Sequence, residues 1–166
     1  RAGRGHARKP EGGPVTGGNG AGLKDGAGAL VLAGGGFTAR SGLKAMARGA
    51  GWGLGGVDPS YMGEGPIPAV QQALAQAGLA VQDMDVIESN EAFAAQSLTV
   101  AKALGFDPAK TNPNGGAVAL GHPIGASGAI LSVKAIYELH RTGGRYALVT
   151  LCIGGGQGIA AIFERV

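Results

Sequence analysis

"PIPAVQQALAQAGLAVQDMDVIESNEAF", residues 66–93, is the stretch that decides the fold class. Ile67, Val70, Leu74 and Ala77 recur at helical spacing, prolines stand where a helix can begin, and Gly78 offers the left-handed position that ends one. A short, half-apolar "MDVIES" follows and reads as a strand ending at Asn90, whose side chain is placed to cap a second helix in "EAFAAQSLTVAKALG". Helix, strand and helix in direct succession predict an α/β layered domain.

Toward the C-terminus, "TNPNGGAVALGHPIGASG" (111–128) is rich in Pro, Asn and Gly and is expected to be largely loop. "AILSVKAIYELHRTGG" (129–144) carries Ile130, Val133, Tyr137 and His140 on one helical face and stops at Gly143 and Gly144. "RYALVTLC" and "GIAAIFERV" are apolar runs separated by "IGGGQ", the pattern of a closing hairpin. Toward the N-terminus, "AGALVLA" (27–33) reads as one buried strand, while "GGG" (34–36) and "GAGWGLGG" (49–56) encode structure weakly, because glycine costs roughly 0.5–1 kcal/mol relative to alanine inside a helix or strand. The predicted order is strand, helix, strand, helix, loop, helix, strand, strand, around a mixed sheet.

Composition narrows the class further. The chain has 166 residues, enough for one ordinary domain, and 45% of them are hydrophobic, enough for a core. Glycine contributes 34 residues without a G-X-Y period, which excludes collagen. Arg1, Arg4, Arg8 and Lys9 concentrate positive charge in a glycine-rich start expected to be solvated; the remainder is near neutral, against a nucleic-acid surface. There is no apolar stretch of about 18 residues to span a membrane and no secretory h-region. One cysteine forms no intrachain disulfide, and Cys152, His6, His122 and His140 do not make a closed zinc site, so an intracellular setting is expected.

Several motifs and side chains are candidates for chemistry. "GWGLGG" (51–56) matches G-x-G-x-x-G but meets Asp58-Pro59 where a helix should open, and "GHPIGASG" (121–128) lacks the G-K-[ST] of a phosphate loop. His122 lies in a glycine-bordered loop with no helical face to bury it, whereas His140 falls in a last helical turn that explains it structurally. Cys152 reads equally as a small buried group or as a thiol beside an oxyanion site, since Gly154, Gly155 and Gly156 leave backbone N–H groups unobstructed.

Taken together, "VTGGNGAGLKDGAGA" (15–29), "MGEGPIPA" (62–69), "SNEAFAAQ" (89–96), "NPNGGAVALGHPIGASG" (112–128) and "CIGGGQG" (152–158) resemble the C-terminal part of a thiolase, an acyltransferase of the acetyl-CoA acetyltransferase type. The resemblance covers residues 14–166 and implies a thiolase-like α/β fold, in which two similar halves pack so that paired sheets enclose central helices. By that comparison residues 1–26 are a remnant of a loop domain, 27–42 the last strand and helix of the N-terminal half, and 43–166 the C-terminal domain. The N-terminal half and its nucleophilic cysteine are expected to lie outside this chain.

The resemblance implies reversible Claisen condensation and thiolysis of acetoacetyl-CoA or another 3-ketoacyl-CoA through an acyl-cysteine. Under it His122 activates the nucleophile and donates to the thioester oxygen, and Asn90 holds a water in the same oxyanion hole. Cys152 is then the acid/base thiol, expected near its unperturbed pKa of ~8.5, and Gly154 N–H serves a second oxyanion hole. Met62, Ala92 and Phe93 match pantetheine-lining positions. Ala21 stands where family members carry a serine, a loss on the order of 1 kcal/mol in hydrogen bonding, and Lys24 replaces an asparagine. Coenzyme A thioesters enter as substrates, with no permanently bound cofactor and no metal. A homodimer or homotetramer is expected of the full-length protein, in the cytoplasm or an organelle, with no nucleic-acid or membrane partner. The alternative is a truncated, non-catalytic relic or dimerisation module.

Overall fold

Residues 13–166 are described by a computed structural model, so Arg1, Arg4, Arg8 and Lys9 lie outside the described residues. In chain order the elements are α1 (Gly35–Ser41), β1 (Ala47–Gly56), a 3-10 turn (Pro59–Glu64), α2 (Pro66–Ala77), a shorter 3-10 turn (Val81–Asp83), β2 (Val86–Ser89), α3 (Ala94–Leu104), α4 (Ala117–Leu120), α5 (Ser127–Thr142), β3 (Tyr146–Gly154) and β4 (Gln157–Arg165). The strands form one four-stranded sheet in the order β1-β4-β3-β2. β2 runs parallel to β3, while β4 is antiparallel to both of its neighbours, which is the expected mixed sheet.

α2 and the β3–β4 hairpin stand where local pattern places them. Gly78 ends α2 at φ 66, and its N–H returns to the helix carbonyls. One core cluster joins α2 and α3 to the sheet through Val70, Leu74, Val100, Met84, Leu148 and Ile162. A second, on the opposite face, joins α5 to β2 and β3 through Leu131, Ala135, Leu139, Val86, Ala147 and Val149. The buried stripe of α5 is thus Leu131/Ala135/Leu139; of the expected face, Tyr137 and His140 are exposed. The helix is rotated because Lys134 and Glu138 turn inward to polar partners and must lie beside the apolar stripe.

The first strand is not 27–33. Among the described residues that run joins no ladder, and Val31 and Leu32 are 93% and 90% exposed, because an apolar run becomes a strand only where a neighbour can pair with its backbone. The first strand is instead the glycine-rich β1, and its glycines have a reason outside it. A Cβ on Gly51 would lie 2.6 Å from the Ala73 carbonyl oxygen, one on Gly55 2.6 Å from the Ala69 nitrogen, and one on Gly53 would strike the Ala69 carbonyl. The alternating glycines let the α2 backbone settle directly on the strand, with Trp52 and Leu54 pointing to the other, exposed face. α2 also closes the outer edge of β1: the Gln76 and Gln72 side-chain oxygens accept from Trp52 N–H and Leu54 N–H, each at 2.7 Å.

Candidate active site

The carboxyl ends of the parallel strands β2 and β3 are where open α/β sheets present reactive groups. Asn90 leaves the end of β2, 2% exposed, and its N–H donates to the Thr150 carbonyl at 3.0 Å. This bond continues the sheet, so Asn90 is not the cap of α3: that helix starts at Ala94, four residues on, and Ala94 N–H donates instead to the Asn19 carbonyl at 2.9 Å. Freed from capping, the Asn90 side chain reaches His122, with Nδ2 at 3.3 Å from Nε2. Cys152 lies two residues beyond Thr150 on β3 and is buried.

His122 is held on three sides. Its N–H donates to the Gly22 carbonyl at 2.8 Å, Nε2 faces Asn90, and Nδ1 lies 2.6 Å from the Ser127 hydroxyl at the start of α5. Burial lowers its pKa below the ordinary histidine value, so the imidazole is neutral near pH 7. Burial pushes the Cys152 thiol the other way, above its ordinary value, which corrects the expectation of an unperturbed thiol. Desolvation disfavours charge in both groups, so burial favours the neutral imidazole and the neutral thiol alike. Among the described residues no hydrogen bond joins Cys152 to His122 or Asn90.

The glycines after Cys152 differ in what they require. Gly154, Gly155 and Gly156 all have positive φ, at 106°, 60° and 82°. Gly154 faces open space, so its constraint is conformational, whereas a Cβ on Gly156 would press on the backbone of Val57, Asp58 and Pro59.

Of the expected lining positions, Ala21, Ala92 and Phe93 come together. Ala21 N–H donates to the Ala92 carbonyl at 3.0 Å, Gly20 packs on the Phe93 ring, and Leu23 bridges His122, so residues 20–23 are strung between the 92–93 loop and the imidazole. Met62, half-buried in the 3-10 turn, is adjacent to Gly63, which stands against Gln96 of α3. A cleft of about 470 Å³ is lined by Lys24 to Gly28 and by Pro123 to Ala126, directly after His122; neither Met62 nor Cys152 lines it.

Several supporting residues are visible only in the folded chain. Asn112, at φ 49, acts as a short strand on the free edge of β2: its side chain accepts from Ser89 N–H and donates to the Ser89 carbonyl, both at 2.9 Å. The Glu91 carboxylate accepts from Val118 N–H at 3.0 Å and from Asn112 Nδ2 at 3.2 Å, and Gly116 leaves the space it occupies. Lys134 Nζ donates to buried Glu88 and to the Gly115 carbonyl, each at 2.8 Å. These bonds anchor the loop that delivers His122. The signal was present in "NEAF" and in the asparagines of "NPNGG", but the partners are 21 to 27 residues away in sequence. Among the described residues no cluster of His, Cys, Asp and Glu could hold a metal ion, and no helix is long and apolar enough to cross a membrane.

A family model described as "Thiolase, C-terminal domain" matches residues 43–165. A beta-ketothiolase of Cupriavidus necator is 62% identical over 156 residues, spanning 94% of this chain and 40% of the relative. A mitochondrial 3-ketoacyl-CoA thiolase of Mus musculus is 51% identical over 152 residues, 92% of this chain and 38% of the relative. Among solved structures, human mitochondrial 3-ketoacyl-CoA thiolase in complex with CoA superposes with a TM-score of 0.95 at 47% identity, covering 98% of this chain and 41% of that one. The chain therefore spans about two fifths of the length of the relatives it matches.

Proposed function

Since the chain belongs to the thiolase family, we propose that it carries the acid/base half of an active site for reversible condensation and thiolysis of acyl-CoA thioesters. The observation that carries this reading is the Asn90–His122–Ser127 chain of hydrogen bonds at the ends of β2 and β3, with Cys152 and three left-handed glycines on the adjoining strand. In this reading the acyl group is first held as a thioester on a second thiol supplied by the companion half, since Cys152, the one cysteine of the 166 residues, serves as acid and base. His122, neutral and polar on both ring nitrogens, takes the proton of that thiol and then donates to the thioester oxygen, with Asn90 holding a water beside it.

Cys152 would exchange the α-proton. In thiolysis its S–H protonates the departing enolate carbon of the acetyl group as the carbon–carbon bond breaks; in condensation its thiolate removes that proton. A thiol kept protonated by burial is set for the first duty. Gly154 N–H would meet the tetrahedral oxyanion, and the left-handed turn keeps that wall free of side chains. Ala21, Met62, Ala92 and Phe93 would line the pantetheine path, and the cleft between Lys24 and Ala126 would receive more of the coenzyme. Residues 43–166 would be the C-terminal domain, with 27–42 belonging to a companion half. The exposure of Val31, Leu32, Trp52 and Leu54 supports that division, since a companion would cover them. A homodimer or homotetramer of the assembled protein, in the cytoplasm or an organelle, completes the reading.

The test is a chimera that joins the N-terminal portion of the Cupriavidus necator relative to this chain. It should cleave acetoacetyl-CoA, whereas the 166 residues alone should not. Cys152→Ala in the chimera should abolish condensation and still allow transfer of an acyl group to the nucleophile. Unchanged condensation in that variant would remove the role given to Cys152, and an inactive chimera that folds would favour the relic.

A further inference from the structure

The hydrogen bonds around His122 have a direction, and one residue sets it. Ser127 is 4% exposed, with its hydroxyl 3.0 Å from the Pro123 carbonyl and 2.6 Å from His122 Nδ1. A hydroxyl has one proton, and a carbonyl can only accept. Donation to the carbonyl four residues back is the usual arrangement for a helical serine, and that oxygen is shared with the N–H groups of Ala126 and Ser127, as is common at a helix start. The serine oxygen then has only lone pairs left for the ring, so the proton between it and Nδ1 must come from the histidine. On the far side of the ring Nε2 faces the Asn90 amide nitrogen at 3.3 Å, itself a donor. A proton on Nε2 would set two donors against each other.

We infer that Ser127 is a positioning residue that holds neutral His122 as its Nδ1–H tautomer, leaving the lone pair on Nε2 toward Asn90. The consequence for acyl transfer rests on the function proposed above; the tautomer does not. In that function Nε2 is the atom that accepts the thiol proton, and the resulting N–H, which the Asn90 amide nitrogen cannot accept, is left to donate to the thioester oxygen. The ring need not turn between the two steps, because Nδ1–H stays on Ser127 throughout.

The test reads the tautomer directly. With histidine ¹⁵N-labelled in the 166-residue chain, long-range ¹H–¹⁵N spectra near neutral pH separate protonated from unprotonated ring nitrogens. The chain has three histidines, and His122→Gln assigns the signal. His122 should show a protonated Nδ1 and a bare Nε2; the opposite pattern overturns the inference. In Ser127→Ala the ratio of the two tautomers should move roughly three- to tenfold toward Nε2–H, the weight of one ordinary hydrogen bond. Ser127→Thr, which keeps the hydroxyl, should restore it. A folded Ser127→Ala protein with the wild-type tautomer ratio overturns the part given to Ser127. Should that variant not fold, the wild-type and Ser127→Thr spectra decide, because a hydroxyl-bearing variant with the Nε2–H pattern also overturns it. A failed chimera with the Nδ1–H tautomer intact would count against the proposed function alone.

Discussion

Gly156→Ala and Gly154→Ala form a matched pair that separates two reasons for a glycine in the turn after Cys152. Both positions have positive φ, 82° and 106°, so either alanine brings conformational strain of about 1–3 kcal/mol. They differ in space. Nothing lies within 4 Å of a Cβ built on Gly154, while one on Gly156 would stand 3.0 Å from the Pro59 nitrogen and 3.2 Å from the Asp58 carbonyl carbon, and would meet the Val57 oxygen more closely still. Those neighbours are backbone, and the Val57 N–H donates to the Gly156 carbonyl at 2.7 Å, so they cannot swing aside as a flexible side chain would. Overpacking of this kind costs about 1–3 kcal/mol beyond the strain. Urea unfolding of both variants, followed by the fluorescence of the single tryptophan Trp52, should place the Gly156→Ala midpoint below that of Gly154→Ala. With a slope of about 2 kcal/mol/M the separation is about 0.5–1.5 M. Coincident midpoints, or the reverse order, would refute the claim that the hairpin is seated on residues 57–59.

The same logic on β1 predicts that Gly53→Ala destabilises by about 1–3 kcal/mol through displacement of α2, while Gly49→Ala, with open space and an unstrained φ, is neutral or stabilising by up to about 1 kcal/mol; equal losses in urea titrations would contradict it. Cys152, its pKa raised by burial, should stay protonated where an unfolded cysteine ionises; its contribution to stability is complete below about pH 8.5 and declines as pH rises through the folded value. Ultraviolet thiolate absorbance of the native chain should therefore titrate above that of the chain in urea, and a native transition at or below the unfolded one would disprove it. Glu138 is held at about 2, against an ordinary 4.5, first by its hydrogen bonds from Arg141 and then by that from Asn114. The stability this supplies is present above about pH 4.5 and is lost as pH falls toward 2, so Arg141→Gln should narrow the difference between urea midpoints at about pH 6 and about pH 3; an unchanged difference would count against the pair.

The candidate site was legible as a set of residues and illegible as an arrangement. Asn90, His122 and Cys152 stand out because their neighbours are unusual, and the structure brings Asn90 and His122 into contact, with Cys152 on the adjoining strand. Local pattern suits Asn90 to a helix cap, but the sheet overrides it, since its N–H is taken by Thr150 and the helix start is satisfied from residue 19. Glu91, Asn112 and Ser127 are inconspicuous in the sequence because a carboxylate, an amide and a hydroxyl in a loop have ordinary explanations. Only their partners, brought from other loops, give them roles.

Sequence alone determined what repeats over a few residues: α2 through its apolar spacing and closing Gly78, β2 through its short apolar run, the hairpin of β3 and β4 through paired runs around glycines, and the family through its motifs. The tertiary structure decided what depends on a neighbour far along the chain. "AGALVLA" is apolar enough for a strand but has none beside it among the described residues, whereas the glycines of β1, weak by themselves, form a strand because α2 lies on them. The physical reason is the same in both cases. Periodicity records which face of a segment can be buried, but hydrogen-bonded pairing, close backbone approach and the direction of a proton between two side chains are properties of two surfaces together.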